Sequence, residues 1–299
     1  MTTPLLEVRD LRRHYVTGRT LLGRSALVVK AVDGVSFTVG HGETLGIVGE
    51  SGSGKSTLGR LVLRLEEPTS GRVIFNGRDI SDLTRQELKP LRKEMQVVFQ
   101  DPYSSLNPRM PVWESVVEPL TAHGLAGSRS EKRDKAASLF ARVGLDPKFL
   151  DRLPHQFSGG QRQRIGIARA IALAPRLIVA DEPITALDVS IQAQIVNLFL
   201  DLQEELGLGY LFITHDLRMV EHLCHRVAVM LRGRIVEIGE TAQVFENPQH
   251  AYTRALISAA PIPDPAQEAL RQRIAYETGP PPEEAVLREV TPGHWALAA

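Results

Sequence analysis

Cysteine is almost missing from this chain: Cys224 is the only one among 299 residues. A single cysteine cannot form a disulfide within the chain, and its rarity is typical of proteins in a reducing compartment. The N-terminal residues also lack the basic segment and the apolar segment of a secretory signal peptide. We therefore expect a chain that folds without disulfides and is not secreted.

Long hydrophobic runs and net charge are missing as well. No apolar stretch approaches the roughly 20 residues that cross a bilayer as a helix, and the longest, Tyr210–Thr214 and Val227–Leu231, suit core strands. The 35 basic residues balance the 35 acidic ones, so no overall field attracts nucleic acid or anionic lipid. We expect a chain that is soluble by itself and reaches a membrane only through a partner.

Segments with strand character alternate with segments of helical periodicity. The predicted strands are Leu5–Val16, Ala31–Val39, Thr44–Val48, Val73–Phe75, Leu177–Ala180, Leu211–Thr214, Val227–Leu231 and Arg234–Ile238. The predicted helices follow Gly54 (apolar face Leu58, Leu61, Val62 and Leu65), follow Ser128 up to Gly144, and cover Ser190–Leu206 and Ala251–Ala259. This alternation predicts an α/β fold with a largely parallel sheet, an inserted helical subdomain near residues 102–154, and an extended, partly mobile tail.

A glycine-rich segment follows the predicted strand Thr44–Val48. Its residues Gly49, Glu50, Ser51, Gly52, Ser53, Gly54, Lys55, Ser56 and Thr57 contain the phosphate-binding pattern G-x-x-x-x-G-K-[ST]. Glycines let the backbone wrap closely around phosphate, while backbone N–H groups and the start of the next helix supply positive charge. The segment predicts a nucleoside triphosphate site, with Lys55 on the β- and γ-phosphates and Ser56 on Mg²⁺.

Two further predicted strands end in polar residues. Leu177–Ala180 leads directly to the carboxylates Asp181 and Glu182, and His215 follows the strand Leu211–Thr214. An exposed acidic turn would not explain why an Asp-Glu pair ends an otherwise apolar strand. We predict that Asp181 holds the Mg²⁺ shell and that Glu182 is the general base for the attacking water.

The segment Phe157-Ser158-Gly159-Gly160-Gln161 lies between these motifs. By itself it is read equally well as an ordinary helix start capped by Ser158. In this order, however, the three segments resemble the ATP-binding subunits of ABC transporters, whose signature is usually Leu-Ser-Gly-Gly-Gln. The resemblance implies a P-loop NTPase (RecA-like) core with an N-terminal antiparallel β subdomain, an inserted helical subdomain and a C-terminal extension.

The same resemblance implies roles for further residues. Tyr15 resembles the aromatic residue that stacks on adenine, although an ordinary strand tyrosine is the alternative. Gln100 resembles the Q-loop glutamine that contacts Mg²⁺ and water, and His215 the switch histidine that contacts the γ-phosphate. Ala186-Leu-Asp188 resembles the D-loop. Ser158, Gly159, Gly160 and Gln161 would contact the γ-phosphate held by the opposite subunit of a dimer.

Two segments resemble one subfamily, the oligopeptide/dipeptide importers. They are residues 100–108, Gln-Asp-Pro-Tyr-Ser-Ser-Leu-Asn-Pro, and residues 247–265, which include His250 and Tyr252. Residues 11–30 and 56–60 are most similar to the second of the two ATPases, the F type. Many relatives carry a cysteine cluster in the tail that sometimes holds an iron–sulfur cluster; this tail has no cysteine, so no such cluster is expected.

The resemblance predicts an ATPase domain at residues 1–240, with a helical subdomain at about 101–165, and a C-terminal extension at residues 241–299. The expected cofactor is Mg²⁺ with ATP. The expected partners are a paralogous ATPase subunit or a second copy, two transmembrane permease subunits and, indirectly, an extracytoplasmic solute-binding protein, but no nucleic acid. The chain would lie peripherally on the cytoplasmic face of the cell (inner) membrane.

Several alternatives stay open at this point. The transported solute would be a dipeptide or oligopeptide, but nickel, glutathione and other solutes use similar subunits. A soluble ABC ATPase without a transport role, a P-loop kinase and an interaction module with a degenerate site are the other classes. His222, Cys224 and His225 are a weak metal-binding pattern, since only the two histidines could share a helix face.

Overall fold

The computed structural model describes residues 3–17, 27–101, 106–185, 187–261, 271–276, 279 and 285–297. Predictions for residues 18–26, 102–105, 186, 263–265 and 280–282 therefore lie outside the described residues. The chain divides into two compact units: the first unit is Met1–Asp82 with Leu211–Ala299, and the second unit is Leu83–Tyr210. The predicted domain boundaries at residues 101–165 and 241–299 stay predictions.

The first unit contains most of the strands. They are β1 (Leu6–Thr17), β2 (Leu27–Val39), β3 (Thr44–Val48), β4 (Ser70–Phe75), β5 (Arg78–Asp79), β8 (Gly209–Ile213, in the first unit from Leu211), β9 (Arg226–Leu231), β10 (Arg234–Glu240), β11 (Leu287–Thr291) and β12 (His294–Leu297). Its helices are α1 (Lys55–Val62), α7 (Leu217–Leu223), α8 (Thr241–Glu246) and α9 (Ala251–Ala259).

The second unit contains the remaining α-helices and β-strands. They are α2 (Arg85–Leu91), β6 (Met95–Val98), α3 (Val112–Ala122), α4 (Arg129–Arg142), α5 (Gly159–Ile171), β7 (Leu177–Asp181) and α6 (Val189–Leu206). Strands β6 and β7 pair in parallel, and α3 packs on α4 and α5. The predicted helix after Ser128 is confirmed: Ser128 and Glu131 form a capping box at the start of α4. Gly207, with φ 64°, ends α6 as predicted.

An antiparallel sheet with the order β2-β1-β4-β5 begins the first unit. Apolar residues alternate along β1, where Leu6 and Val8 are buried, and along β2, where Val35 and Phe37 are buried, which indicates one covered face. The turn between β4 and β5 is the predicted Asn76-Gly77, and both residues have the positive φ that such a turn requires.

The larger set of strands in the first unit has the order β11-β12-β10-β9-β3-β8. Every residue of β3 is buried, and β3 pairs in parallel with β9, as expected for an apolar strand in the middle of a sheet. Strands β9 and β10 form the predicted hairpin, whose turn is Arg232-Gly233.

One local prediction was wrong. Helix α1 ends at Val62, Arg64 has φ 50°, and Leu65 is 51 % exposed instead of lying on the apolar face of the helix. In the described part of the tail, β11 and β12 form a hairpin that pairs with β10 and that the sequence did not predict, while the partly mobile tail stays a prediction. In short, partly exposed strands of this kind, apolar and polar residues alternate little, so the sequence gives only a weak strand signal. Pairing with β10 supplies the stability of these two strands. Within the described part of the chain, no helix has the length and apolarity to cross a membrane.

Gly46 in β3 makes room for α7. A Cβ atom at residue 46 would lie 2.9 Å from the sulfur of Cys224 and 3.1 Å from Cγ1 of Val220. Cys224 is buried, and burial raises the pKa of its thiol, so the sulfur is a packing atom rather than a nucleophile.

We expect Gly46→Ala to lower the free energy of unfolding by about 1–3 kcal/mol, because the added methyl group overpacks the contact with α7. Cys224→Ala should relieve part of that cost, so that the double variant is more stable than the sum of the two single changes predicts. Urea unfolding of the four proteins measures this coupling. Strictly additive effects would mean that the Gly46–Cys224 contact is absent in solution.

Candidate functional site

The glycine-rich loop after β3 has a backbone that other residue types cannot adopt. Gly49, Gly52 and Gly54 have φ values of 151°, 80° and 103°. A Cβ atom at Gly49 would lie 2.1 Å from the carbonyl oxygen of Met230, and one at Gly54 would lie 2.0 Å from that of Ala31. The glycines therefore permit both the conformation of the loop and its close approach to neighbouring backbone.

The loop closes around the amine of Lys55. Lys55, 4 % exposed, donates from Nζ to the carbonyl oxygens of Gly49 and Glu50, each at 2.8 Å. The β9–β10 turn also holds the loop, because the Gly233 N–H donates to the carbonyl oxygen of Ser53 at 2.8 Å. The positive charge of Lys55 is thus fixed at the centre of the loop.

The start of α1 has the properties of an anion site. Its N-cap Gly54 has no side chain to bond the first N–H groups, and its first turn carries no acidic residue. The hydroxyl of Ser53 is buried and has no hydrogen-bond partner among the described residues. Backbone donors, a buried hydroxyl and the amine of Lys55 together fit a phosphate group.

Tyr15 lies near the end of β1 in the first unit. Its hydroxyl donates to Glu66, and the guanidinium of Arg13 lies 4.6 Å from the centre of its ring. One face of the ring is therefore covered by a cation, and an adenine would have to stack on the opposite face. The predicted contact with adenine stays a prediction.

His215 lies in the turn between β8 and α7 and is exposed. The preceding residue, Thr214, donates its N–H to the carbonyl of Ile47 at 3.1 Å, which ties this turn to the strand that leads into the glycine-rich loop. Within the first unit, His215 and the loop therefore lie at the same edge of the sheet, where parallel strands end.

In the second unit, β7 ends at Asp181, and Glu182 follows with φ 46°, an unusual conformation for a residue with a side chain. Glu182 accepts hydrogen bonds from Gln100 at 3.1 Å and from the hydroxyl of Thr185 at 3.3 Å. The structure thus brings the predicted Gln100 and Glu182 together. No motif in the sequence indicated Thr185, because its contact with Glu182 depends on the turn that follows β7.

The segment Phe157–Gln161 forms the start of α5. Ser158 and Gln161 form a capping box, in which the Gln161 N–H donates to Ser158 Oγ at 3.3 Å. Phe157 is buried and packs edge-to-face on Phe149. This contact accommodates a phenylalanine where the usual signature has a leucine. A Cβ atom at Gly160 would lie 2.5 Å from Ile191 of α6, so this glycine permits two helices of the second unit to approach.

Two predicted features remain, the D-loop and the metal-binding pattern near Cys224. Asp188 is exposed and is the residue before α6, while Ala186 lies outside the described residues. In the pattern His222, Cys224 and His225, the ring nitrogen Nδ1 of His225 accepts the N–H of Thr44 at 3.1 Å. In the described ranges, no group of three or more His, Cys, Asp or Glu side chains is placed to hold a metal ion.

Two family models match the chain. Residues 32–185 match the model described as ABC transporter, and residues 236–285 match the model described as oligopeptide/dipeptide transporter, C-terminal region. The first match contains the glycine-rich loop, Gln100, Ser158–Gln161, Asp181 and Glu182. The second contains α8, α9 and most of β10.

Known proteins are similar over most of the chain. The chain is 49 % identical to the oligopeptide transport ATP-binding protein OppF of Bacillus subtilis (strain 168), over 99 % of this chain and 97 % of that protein. It is 50 % identical to the glutathione import ATP-binding protein GsiA of Salmonella paratyphi A, over 98 % of this chain and 48 % of GsiA. The dimeric post-hydrolysis structure of the ATP-binding cassette MJ0796, bound to ADP and Pi, has a TM-score of 0.70 at 31 % identity, covering 79 % of this chain and 98 % of that one. These similarities confirm the predicted α/β P-loop NTPase fold, and this chain belongs to the ABC transporter family as one of its ATP-binding proteins.

Proposed function

We propose that this ATPase energises the import of dipeptides or oligopeptides through a membrane ABC transporter. The observation that carries the choice of solute is the match of residues 236–285 to the C-terminal region of oligopeptide/dipeptide transporters. The similarity to OppF over nearly both full lengths supports it. In this role the chain would lie on the cytoplasmic face of the membrane, bound to two permease subunits that receive solute from an extracytoplasmic binding protein.

The proposed nucleotide site begins at the glycine-rich loop. Residues 49–57 would hold the phosphates of ATP, with the Lys55 amine exchanging a loop carbonyl for a phosphate oxygen. Ser56, Gln100 and Asp181 would hold Mg²⁺, which neutralises charge on the β- and γ-phosphates when it is bound. Tyr15 would contact the adenine.

Glu182 is the proposed general base. The amide of Gln100 and the hydroxyl of Thr185 both donate to Oε2 of Glu182, and these two hydrogen bonds orient the carboxylate that would accept a proton from water. A positioned base of this kind contributes on the order of 10² to 10⁴ in rate. His215 would contact the γ-phosphate and help orient the same water.

A second ATPase chain is part of the proposal. The signature residues Ser158–Gln161, with Asp188, would contact the nucleotide held by the opposite subunit, as the helix start of α5 supplies hydrogen-bond donors for a phosphate. The dimeric state of the similar cassette MJ0796 supports this arrangement. We favour a paralogous partner over a second copy, because the importer family commonly pairs two kinds of ATPase.

A second candidate solute is glutathione, which the name of the similar protein GsiA specifies. The C-terminal match favours peptides, and nickel or another solute is a weaker alternative. Uptake of labelled dipeptides, oligopeptides and glutathione by cells with and without the gene would separate these solutes. A deletion that leaves all uptake unchanged would favour an ABC ATPase without a transport role.

We expect Glu182→Gln to keep ATP binding and to lower turnover at least about 100-fold, because an amide cannot accept the proton of the attacking water. Single-turnover hydrolysis and nucleotide titration of the assembled complex measure both quantities. Glu204→Gln makes the same charge change on the exposed side of α6 and should leave hydrolysis unchanged. Hydrolysis at the wild-type rate by the Glu182 variant would remove this residue as the base.

We expect the isolated chain to be a weak ATPase whose specific activity rises with protein concentration or on addition of the paralogous subunit. The reason is that each site would need the signature residues of another chain. Steady-state assays over a concentration series, with sedimentation to establish the oligomeric state, provide the measurement. A verified monomer with full activity would contradict a two-chain site.

We expect Ser158→Arg to abolish ATPase activity and transport while the isolated chain binds ATP normally. A bulky cation would block the contact between the two ATPase chains without touching residues 49–57. Ser130→Arg introduces the same side chain at an exposed position of α4 and should be silent. Because the first change also removes a helix cap worth about 1 kcal/mol, thermal unfolding is measured in parallel. Loss of ATP binding by the isolated Ser158 variant would assign Ser158 to its own chain's site or to the fold.

A further inference from the structure

A side chain of the C-terminal region contacts the glycine-rich loop. The hydroxyl of Tyr252, in the first turn of α9, accepts the N–H of Glu50 at 3.0 Å. Tyr252 is 1 % exposed, and burial raises the pKa of its hydroxyl, so the group is neutral at physiological pH. Within the first unit, a residue 202 positions along the chain thus satisfies a backbone donor of the loop.

The position of Tyr252 is fixed by a buried carboxylate. Glu237 of β10 is fully buried, and its two oxygens accept the N–H groups of Gln249 at 2.8 Å and His250 at 2.9 Å. The ring of His294 in β12, also buried, places Nε2 2.8 Å from the same carboxylate. Because a buried carboxylate is costly without such partners, this cluster strongly determines where α9 begins.

Aromatic packing also fixes the ring of Tyr252. Its ring meets that of Tyr276 edge-to-face, with centroids 5.2 Å apart. Tyr276 lines a cavity together with Glu50, Ser51, Gly52 and Ser53, so the C-terminal region borders the loop at more than one point. The imidazole of His250 accepts the Tyr252 N–H at 3.2 Å and closes the first turn of α9.

We infer that Tyr252 is a positioning residue of the nucleotide site, which holds the second residue of the glycine-rich loop by its backbone N–H. This inference rests on the proposed function, because it takes residues 49–57 as the ATP site. The loop binds phosphate through its backbone, so its affinity depends on how well the backbone is held before ATP arrives. The C-terminal region then contributes directly to ATP affinity, in addition to any contact with a partner.

Tyr252→Phe tests the inference, since it removes the hydroxyl and keeps the ring against Tyr276. Loss of one such hydrogen bond should weaken binding of a slowly hydrolysed ATP analogue with Mg²⁺ by about five-fold in calorimetric titration. Amide hydrogen exchange of the peptide that contains Glu50 should accelerate. In the assembled transporter KM for ATP should rise while kcat stays nearly unchanged, as expected when ground-state and transition-state binding are lost equally.

Tyr210→Phe is the matched control. Its buried hydroxyl also bonds to backbone, donating to the carbonyl of Phe199 at 3.1 Å in the second unit. This change should lower the melting temperature without altering ATP affinity or exchange at Glu50. If Tyr252→Phe leaves affinity and Glu50 exchange at wild-type values, or if Tyr210→Phe changes them equally, the inference is overturned.

Lys55→Ala separates failure of this inference from failure of the proposed function. If Lys55→Ala abolishes ATP binding while Tyr252→Phe binds like the wild type, the ATP site stands and only the role of Tyr252 is rejected. If Lys55→Ala binds ATP normally, residues 49–57 are not the ATP site, and the proposed function and the inference both fail.

Discussion

The glycine-rich loop keeps its shape because backbone lies against it where no side chain would fit. A Cβ atom at Gly49 would collide with the carbonyl oxygen of Met230, and one at Gly54 would collide with that of Ala31. The N–H of Gly233 completes the contact at Ser53. Since β2, β3 and the β9–β10 hairpin must all be in place for these contacts, the conformation of the loop depends on the core of the first unit.

The carboxylates after β7 depend on a different constraint. Glu182 has a positive φ, a conformation that costs of the order of 1–3 kcal/mol and persists only where surrounding contacts hold it. Gln100 and Thr185 hold its side chain, and both come from loops of the second unit. As the proposed base, Glu182 would be oriented before water arrives and would lose less freedom in the reaction.

Within the first unit, a buried polar network links the C-terminal region to the strands and to the glycine-rich loop. The buried carboxylate of Glu237 collects hydrogen bonds from the start of α9 and from His294 of the last hairpin, and Tyr252 extends this network to Glu50. Such a network has one satisfied arrangement, because each lost partner leaves a buried polar group unpaired. Within the first unit, the start of α9 and the β11–β12 hairpin therefore have defined positions relative to β10.

The sequence by itself determined the α/β class, β3 and the loop after it, the helix starts at Ser128 and Ser158, and the residue types for nucleotide chemistry. These features are local, since a strand, a turn or a cap is set by residues a few positions apart. It did not determine where α1 ends, the hairpin of β11 and β12, the contact of Thr185 with Glu182, or that of Tyr252 with Glu50. Only the tertiary structure decided these, because each depends on backbone or side chains brought together by folding, and hydrogen bonds between distant residues leave no periodic pattern in a sequence.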